Sequence, residues 1–320
     1  MQDLINQLFQ PFQYEFFNKA MLGAILVGGL CGLIGVYVVL RRMSYIGHGL
    51  SHSIFGGAVV SYVLSWNFYL GAGAWGFLSA LIIDAVSRKR KVSTDAAIGI
   101  ITTASFAVGV ALISKTRRFT KNFDAALFGN ILGITDADLW AIGGVAVAVT
   151  LVVFFIYKQL LFSTFDPEVA SVYGVRTRWI DTFFSLALAG TIIVSMQILG
   201  VTLIAASLII PPTVARLLTD NFHKVVFYSI GIGVLCSVVG LYLSYEVDIS
   251  SGAAIVITAA LLFVGVFSFS SLKGRFFGRK PELDRLEGES AVALASGVLV
   301  TSNDNHNHDH SHVHAEEHHF

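Results

Sequence analysis

Long apolar stretches dominate this chain and decide what it can fold into. A helix that crosses a membrane needs about 20 mainly apolar residues, and lipid excludes any backbone that does not satisfy its own hydrogen bonds. Only 13% of the residues are charged, against about 25% in soluble domains. The sequence therefore predicts an all-α polytopic protein of the inner or plasma membrane. The apolar stretches lie at 17–40, 47–66, 68–86, 95–114, 139–160, 179–199, 201–219, 224–245 and 251–272.

Two weak junctions leave the number of spans open. Asn67 alone separates the second stretch from the third, and Gly200 alone separates the sixth from the seventh. Pro211 and Pro212 are expected to break or kink the seventh stretch. Nine spans and eight spans with a broken or re-entrant helix fit the sequence equally well, so we expect eight to nine transmembrane helices.

The basic residues predict which ends of the helices face the cytoplasm, because cytoplasmic loops are enriched in Lys and Arg. Nine spans with the N-terminus outside place these clusters in the cytoplasm, whereas the basic loop 115–138 falls outside. Eight spans would move the C-terminal tail to the outer side, so its side stays open. The clusters lie at 41–42, 88–91, 176–178, 216–224 and 273–280.

Composition and missing motifs exclude several classes of function. The formal net charge is +0, so there is no basic surface for nucleic acid, and the expected surroundings are membrane lipid. The sequence has no nucleotide-binding P-loop and no Gly-x-Ser-x-Gly nucleophile motif. Cys31 and Cys236 both lie in apolar stretches and are expected to pack as small apolar residues. We therefore expect no enzyme activity in this chain, and its energy must come from an ion gradient or a partner.

His48 and His52 are the most informative polar residues of the apolar region. Residues four apart share one face of a helix, so both imidazoles can meet one ion, and imidazole suits zinc, copper, iron and nickel. The alternative is that each ring only stabilises helix packing, through a hydrogen bond to a backbone carbonyl or to a neighbouring helix. Gly49 follows His48 where the zinc proteases have Glu, which argues against proteolysis in the membrane. The spacing favours half of a four-coordinate metal site.

The C-terminal tail carries the other histidines that could bind metal. We expect a transmembrane domain at 1–280 and a disordered tail at 281–320, because the end of the chain is polar and of low complexity. Imidazoles of this density bind metal by multivalency, and an affinity tag is the alternative interpretation. The tail histidines are His306, His308, His310, His312, His314, His318 and His319.

A short capped helix is predicted in the longest cytoplasmic segment between spans, 163–178. Asp166 and Pro167 resemble an N-cap and the first helical position. Glu168 then lies in the first turn, where a negative charge is stabilised, and Gly174 closes the helix. A loop without secondary structure would not need these capping residues, so we expect a docking helix for a cytoplasmic partner.

Two carboxylates, Asp84 and Asp181, fall near the predicted ends of spans. Each lies within one turn of a basic residue, Arg88 and Arg178 respectively, so we expect both to be paired or interfacial. The spans lack the central ladder of carboxylates that a proton relay would use.

Five segments, in order, resemble the membrane permeases of bacterial ABC importers for zinc, manganese and iron, the ABC-3 metal permease family. The resemblance covers residues 15–272 and leaves out the tail. His52 falls on the histidine of the family, and His48 falls where many members have Asp. The segments are the second-helix motif at 41–53, a marker at 95–100, an external amphipathic segment at 127–132, a coupling helix at 166–174 and a proline-containing helix at 200–215.

The resemblance implies a permease that works by alternating access with partner chains. It implies a cytoplasmic ABC ATPase docked on the coupling helix at Asp166, Glu168, Ala170 and Gly174. It also implies an extracytoplasmic metal-binding protein and a second permease copy, most simply as a homodimer. No cofactor would be tightly bound, and the transported ion would be zinc or manganese. Two nitrogen ligands in place of one oxygen and one nitrogen favour zinc over manganese.

Three other functions remain as alternatives. A permease of similar architecture could carry a metal chelate such as haem, a siderophore or a cobalamin, and the His pair would then be incidental. A gradient-driven metal transporter would act without an ATPase, but the missing carboxylate ladder counts against it. A membrane metalloenzyme is disfavoured because the pair has no acid or base residue beside it.

Overall fold

The computed structural model describes residues 10–87, 93–116, 127–129 and 131–276, and all regular structure within them is helical. Short 3-10 turns occupy Gln10–Gln13 and Ile131–Gly133. The described residues up to Ser270 belong to one compact unit. The α-helices are α1 Glu15–Leu40, α2 Ser44–Val63, α3 Phe68–Ser87, α4 Thr94–Thr116, α5 Asp136–Phe165, α6 Pro167–Val172, α7 Thr177–Leu199, α8 Ile204–Leu218, α9 Phe222–Val247 and α10 Ser251–Phe276.

The predicted apolar stretches are helical over most of their length, which confirms the all-α polytopic fold. Seven helices, namely α1, α3, α4, α5, α7, α9 and α10, are long and apolar enough to cross a membrane. α2 has 20 residues, as α3 does, but its histidines, serines and glycines lower its hydropathy and it is not among the seven. α8 has 15 residues, so it is about 22 Å long, short of the roughly 30 Å of a hydrocarbon core. The two helices that do not meet the criteria for a membrane span, α2 and α8, lie next to each other in the fold.

The chain is interrupted at Gly200 and not at the proline pair. α7 ends at Leu199, and Gly200 has φ 73° and ψ 164°, a combination that is essentially restricted to glycine. α8 then continues through Pro211 and Pro212, so the expected break is absent. Pro212 cannot donate a hydrogen bond to the carbonyl of Leu208. Gly35 of α1 lies against that carbonyl, at a place where a Cβ would collide with it.

α1 is largely buried in the described bundle, second only to α7 among the long apolar helices, and packs against α5, α7, α8 and α9. Small residues allow α1 and α9 to approach closely, as in other membrane helix pairs. A Cβ on Gly28 would collide with Ser237, and Ser229 Oγ donates a hydrogen bond of 2.7 Å to the carbonyl of Gly32. α2 packs mainly on α4 and α3, and the short helix α6 packs on α5 and α7.

Candidate functional site

His48 and His52 lie on one face of α2, as their spacing predicts. Their ring centroids are 4.6 Å apart, with the planes inclined by 78°. The His52 ring also meets the edge of Phe106 in α4 at 5.2 Å, and Tyr45 lies 6.0 Å from His48. Both rings are half-buried. Their positions in α2 place them about 6 Å and 12 Å along the helix from Ser44.

The Nδ1 atom of His52 is buried and has no hydrogen-bond partner among the described residues. A buried polar atom without a partner costs roughly 1–3 kcal/mol. The arrangement fits a nitrogen that is left free for an ion.

The described residues supply two protein ligands at this point and not a complete cage. No group of three or more His, Cys, Asp or Glu side chains that could hold a metal occurs in the described part of the chain. A structural zinc site uses four protein ligands, whereas an open site leaves positions for water or an incoming group. His48 and His52 can therefore bind an ion if further ligands, such as water or a group from another chain, fill its remaining positions.

Glycines let α2 pack tightly against α4. A Cβ on Gly49, next to His48, would collide with the side chain of Ile98, and a Cβ on Gly56 would collide with the carbonyl of Ser105. On the other side, α2 is held to α3 by a hydrogen bond of 2.6 Å between Ser53 and Ser79. The histidine helix is thus enclosed by protein along most of its length.

A second contact joins α2 to the interrupted backbone after α7. Ser51 is fully buried, and its hydroxyl lies 2.8 Å from the carbonyl oxygen of His48 and 3.0 Å from that of Val201. Val201 belongs to the turn Gly200–Leu203. Broken helices of this kind are common at the substrate sites of transporters, and nothing in the sequence indicated that this turn meets the histidine helix.

The same turn is held by the segment Leu127–Gly129. The amide and the hydroxyl of Thr202 both donate to the carbonyl of Leu127, over 3.3 Å and 2.8 Å. A Cβ on Gly200 would collide with that carbonyl and with the amide of Gly129. Ser250, just before α10, donates a bond of 2.8 Å to Phe128. The turn is therefore held by Leu127–Gly129, and Ser250 holds that segment to the start of α10.

The short helix predicted after Asp166 is present as α6. Asp166 caps it by accepting a hydrogen bond of 2.9 Å from the amide of Val169, and Pro167 is its first residue. Glu168 lies in the first turn and Ala170 is buried against the bundle. Gly174 has φ 81° and ends the turn. The local structure agrees with the capping signals, whereas its role as a docking helix remains a prediction.

Arg41 forms a polar cluster that sequence reasoning missed. Its guanidinium donates to Asp181 at 2.7 Å and to Thr164 at 3.0 Å, and it lies over the ring of Phe184 at 4.7 Å. Only 11% of the Arg41 side chain is exposed. The sequence indicates Arg41 only as part of a cytoplasmic basic cluster and gives no sign of these contacts.

The two end-of-span carboxylates both have polar partners, as predicted, but Asp181 pairs with a residue other than its neighbour in sequence. Asp181 pairs with Arg41, 140 positions away, and not with the nearby Arg178. Asp84 accepts a hydrogen bond of 3.1 Å from Thr182, and Arg88 lies outside the described residues. Both carboxylates are thus engaged with neighbouring helices.

A cavity of about 330 Å³ lies beside Arg41. Ile46 of α2 lines it, together with Asp84 and Asp181. Positions 46 and 48 of a helix point about 160° apart, so this cavity and the His48 ring lie on nearly opposite sides of α2. The cavity is therefore separate from the candidate ion site.

The seven tail histidines, from His306 to His319, lie outside the described residues, as does the predicted boundary at residue 280. Their binding of metal and the extent of the tail domain remain predictions.

Three comparisons place the chain among known proteins. The profile of the ABC 3 transport family matches residues 13–270. The manganese transport system membrane protein MntC of Listeria innocua is 36% identical over 271 residues, which are 85% of this chain and 96% of that protein. The manganese import system permease protein ScaB of Streptococcus gordonii is 34% identical over 267 residues, 83% of this chain and 95% of that protein.

A solved structure agrees with the sequence matches. One chain of PsaBC from Streptococcus pneumoniae in complex with Fab superposes with a TM-score of 0.75 at 32% identity. The superposition covers 82% of this chain and 95% of that chain. The family profile spans α1 to α9 and most of α10, and it ends before the tail. The names of these relatives support manganese and give no support to the expected preference for zinc.

Proposed function

This chain belongs to the ABC 3 transport family, and from that premise we propose that it carries divalent manganese along a pathway in which His48 and His52 bind the ion in passing. At the coarser level, it is the permease subunit of an ABC importer for metal and a multi-pass protein of the plasma membrane. The observation that carries the proposed site is the buried, unpartnered Nδ1 of His52 beside a second imidazole.

Manganese is the cargo named for the relatives, and zinc is a second candidate that one observation favours. Manganese prefers oxygen ligands such as carboxylate and water, whereas a pair of imidazoles suits zinc. With two protein nitrogens and the remaining positions filled by water, the site can accept either ion. The pair is expected to reduce the discrimination between the two metals compared with relatives that have Asp in place of His48.

Two protein ligands suit a transport site better than four, because the site must release its ion as well as bind it. A conducting site binds strongly enough for the ion to enter and weakly enough for it to leave. A complete cage of four protein ligands would hold zinc as a structural metal. In alternating access, further ligands must join the two imidazoles when the ion binds and leave when it is released. The rings of His48 and His52 are half-buried, so their exposed edges remain open to such ligands.

The cytoplasmic partner is an ABC ATPase that docks on α6. Val172 is 84% exposed and Tyr173 is 78% exposed, on a six-residue helix whose Ala170 is buried against the bundle. Large apolar side chains on a capped helix outside the spans suit an aromatic-lined groove in a partner. Asp166 and Glu168 hold the first turn, and Gly174 returns the chain to α7.

Two further partners complete the proposed importer. A second copy of the permease would bring another pair of imidazoles to the pathway, because each copy supplies only two ligands within its described residues. An extracytoplasmic metal-binding protein would deliver the ion at the end of the bundle that holds Leu127–Gly129. A homodimer is the simplest assembly, since one chain then forms both halves.

The test is ATP-dependent uptake of radiolabelled manganese and zinc into proteoliposomes that hold the permease with its ATPase and binding protein. His52→Ala is expected to reduce uptake by about 100-fold, because losing a ligand costs at least as much as losing its outer-sphere partner. The matched control is His223→Ala, which removes an exposed imidazole from the start of α9. Normal uptake by the double variant His48→Ala/His52→Ala would overturn the site, and uptake of a chelate alone would overturn the cargo.

A further inference from the structure

We propose that Ser51 is the positioning residue of the ion site, because it ties the histidine helix to the interrupted backbone at Gly200–Leu203. The inference rests on the proposed role of His48 and His52 as ion ligands. Ser51 would not touch the ion. It would set the rotation of α2 about its own axis, and with it the direction in which the two rings face.

The contacts of Ser51 support this role. The residue lies between the two histidines, is fully buried, and has oxygen neighbours on both helix and turn. A hydroxyl has one hydrogen, so Ser51 donates either to the carbonyl of His48 within α2 or to that of Val201 outside it. The Val201 contact is a polar link between the histidine-bearing half of α2 and the turn.

The rings themselves have no such support. A ligating histidine usually donates its second ring nitrogen to a carbonyl or carboxylate, which fixes the ring. The unpartnered Nδ1 of His52 is the nitrogen proposed to meet the ion. In the described part of the chain, the ring contacts of both imidazoles are with aromatic groups. The direction of the imidazoles must therefore be set through the backbone of α2.

The packing of α2 against α4 cannot set this rotation alone. The side of α2 that faces α4 presents Gly49 and Gly56, which have no side chain to interlock with a neighbour, and beside them only the ring contacts of His52 and Phe55 with Phe106 are seen among the described residues. A glycine-lined contact controls the distance between two helices better than the rotation of one against the other. The Ser51 hydroxyl adds a directional bond on a different side, towards the turn before α8.

The turn Gly200–Leu203 is a fixed reference point because the segment Leu127–Gly129 holds it in place. Thr202 holds the carbonyl of Leu127 with both its amide and its hydroxyl, and Gly200 leaves no room for a side chain. Leu127–Gly129 lies at the end of the bundle predicted to be outside. A chain of contacts therefore runs from this outer segment through Thr202, Val201 and Ser51 to the histidines.

The experiment compares Ser51→Ala with Ser53→Ala. Both variants remove a buried hydroxyl that bonds to another part of the protein, but Ser53 contacts Ser79 and not the turn. We expect Ser51→Ala to raise the half-saturating manganese concentration for uptake about five-fold, with little change in the maximal rate. The loss of one hydrogen bond is of that size. Ser51→Thr, which keeps the hydroxyl, is expected to restore the wild-type value.

A second readout separates positioning from stability. Co²⁺ added to the purified permease–ATPase complex reports ligand geometry through its visible absorption, and Ser51→Ala is expected to change the spectrum while Ser53→Ala leaves it unchanged. Thr202→Val tests the same path from the turn if Ser51→Ala does not fold. Identical uptake curves and spectra for Ser51→Ala and Ser53→Ala would overturn the inference. Wild-type protein without ATP-dependent uptake would instead overturn the proposed function.

Discussion

Arg41 and Asp181 form an ion pair of 2.7 Å that joins the end of α1 to the second turn of α7. The same guanidinium reaches Thr164, two residues before the cap of α6. α2 begins three residues after Arg41, at Ser44. One side chain therefore lies between the candidate docking helix and the helix that bears the histidines, and this makes it a place where movement of α6 would reach the ion site.

Arg41→Gln is expected to destabilise the protein by about 1–3 kcal/mol. The variant leaves Asp181 without its cation, and the lower part of the range applies because Asp181 is 39% exposed and water screens it. The measurement is the thermal midpoint of the purified complex. Arg42→Gln is the matched control, since Arg42 is exposed. Equal midpoints for the two variants would show that the Arg41 cluster contributes no stability.

Gly200→Ala is expected to prevent assembly of a stable permease. A Cβ at this position collides with the carbonyl of Leu127 and the amide of Gly129, and the backbone conformation itself excludes other residues. Gly174→Ala is the matched control, because its φ is also positive but a Cβ would meet nothing within 4 Å. It should cost about 1–2 kcal/mol. The yield of monodisperse protein in detergent compares the two, and equal yields would contradict the clamped turn.

Val172→Glu is expected to uncouple ATP hydrolysis from uptake without lowering stability. The side chain is 84% exposed, so the substitution has no folding cost, but a carboxylate would be poorly accommodated in an apolar groove of the ATPase. The ratio of metal transported to ATP hydrolysed should fall about ten-fold. Val247→Glu makes the same change at the end of α9 away from α6, where Val247 is 59% exposed. An unchanged ratio of metal transported to ATP hydrolysed in Val172→Glu would contradict the role of α6 as the docking helix.

Deletion of 303–320 is expected to lower the metal bound per chain while leaving the maximal rate of uptake within about two-fold of wild type. Flexible imidazoles bind metal by multivalency and can raise its local concentration, but they do not form the pathway. Equilibrium dialysis with zinc measures the first quantity and proteoliposome uptake the second. A complete loss of uptake on deletion would place the tail in the transport path.

Local signals predicted the parts of the fold that depend on neighbours in sequence. The cap of α6 by Asp166, the turn at Gly174 and the shared face of His48 and His52 each follow from spacings of four residues or fewer in the capping and helix rules. The weak junction at Gly200 also marked a real interruption of the helix. These features need no knowledge of how the helices pack.

Contacts between distant residues could not be predicted in the same way. Arg41 and Asp181 are 140 positions apart, and Ser51 and Val201 are 150 apart. Each pair depends on which helices become neighbours, and apolar periodicity does not decide that in a chain whose outer faces are as apolar as its core. The continuation of α8 through the proline pair depends on packing in the same way, because Gly35 of α1 allows a close approach at the carbonyl that Pro212 leaves unbonded.

The polar character of α2 also constrains the order in which the chain enters the membrane during synthesis. α1 is apolar enough to partition into lipid by itself, but Ser44–Val63 gains little there, because its imidazoles and hydroxyls leave water at a cost. Arg41–Met43 is too short to let the two helices insert independently, so they must enter as a hairpin. The nascent α2 is then retained only when α3 and α4 arrive to cover it. The helix that would handle the ion is thus the last of the first four to reach a stable position.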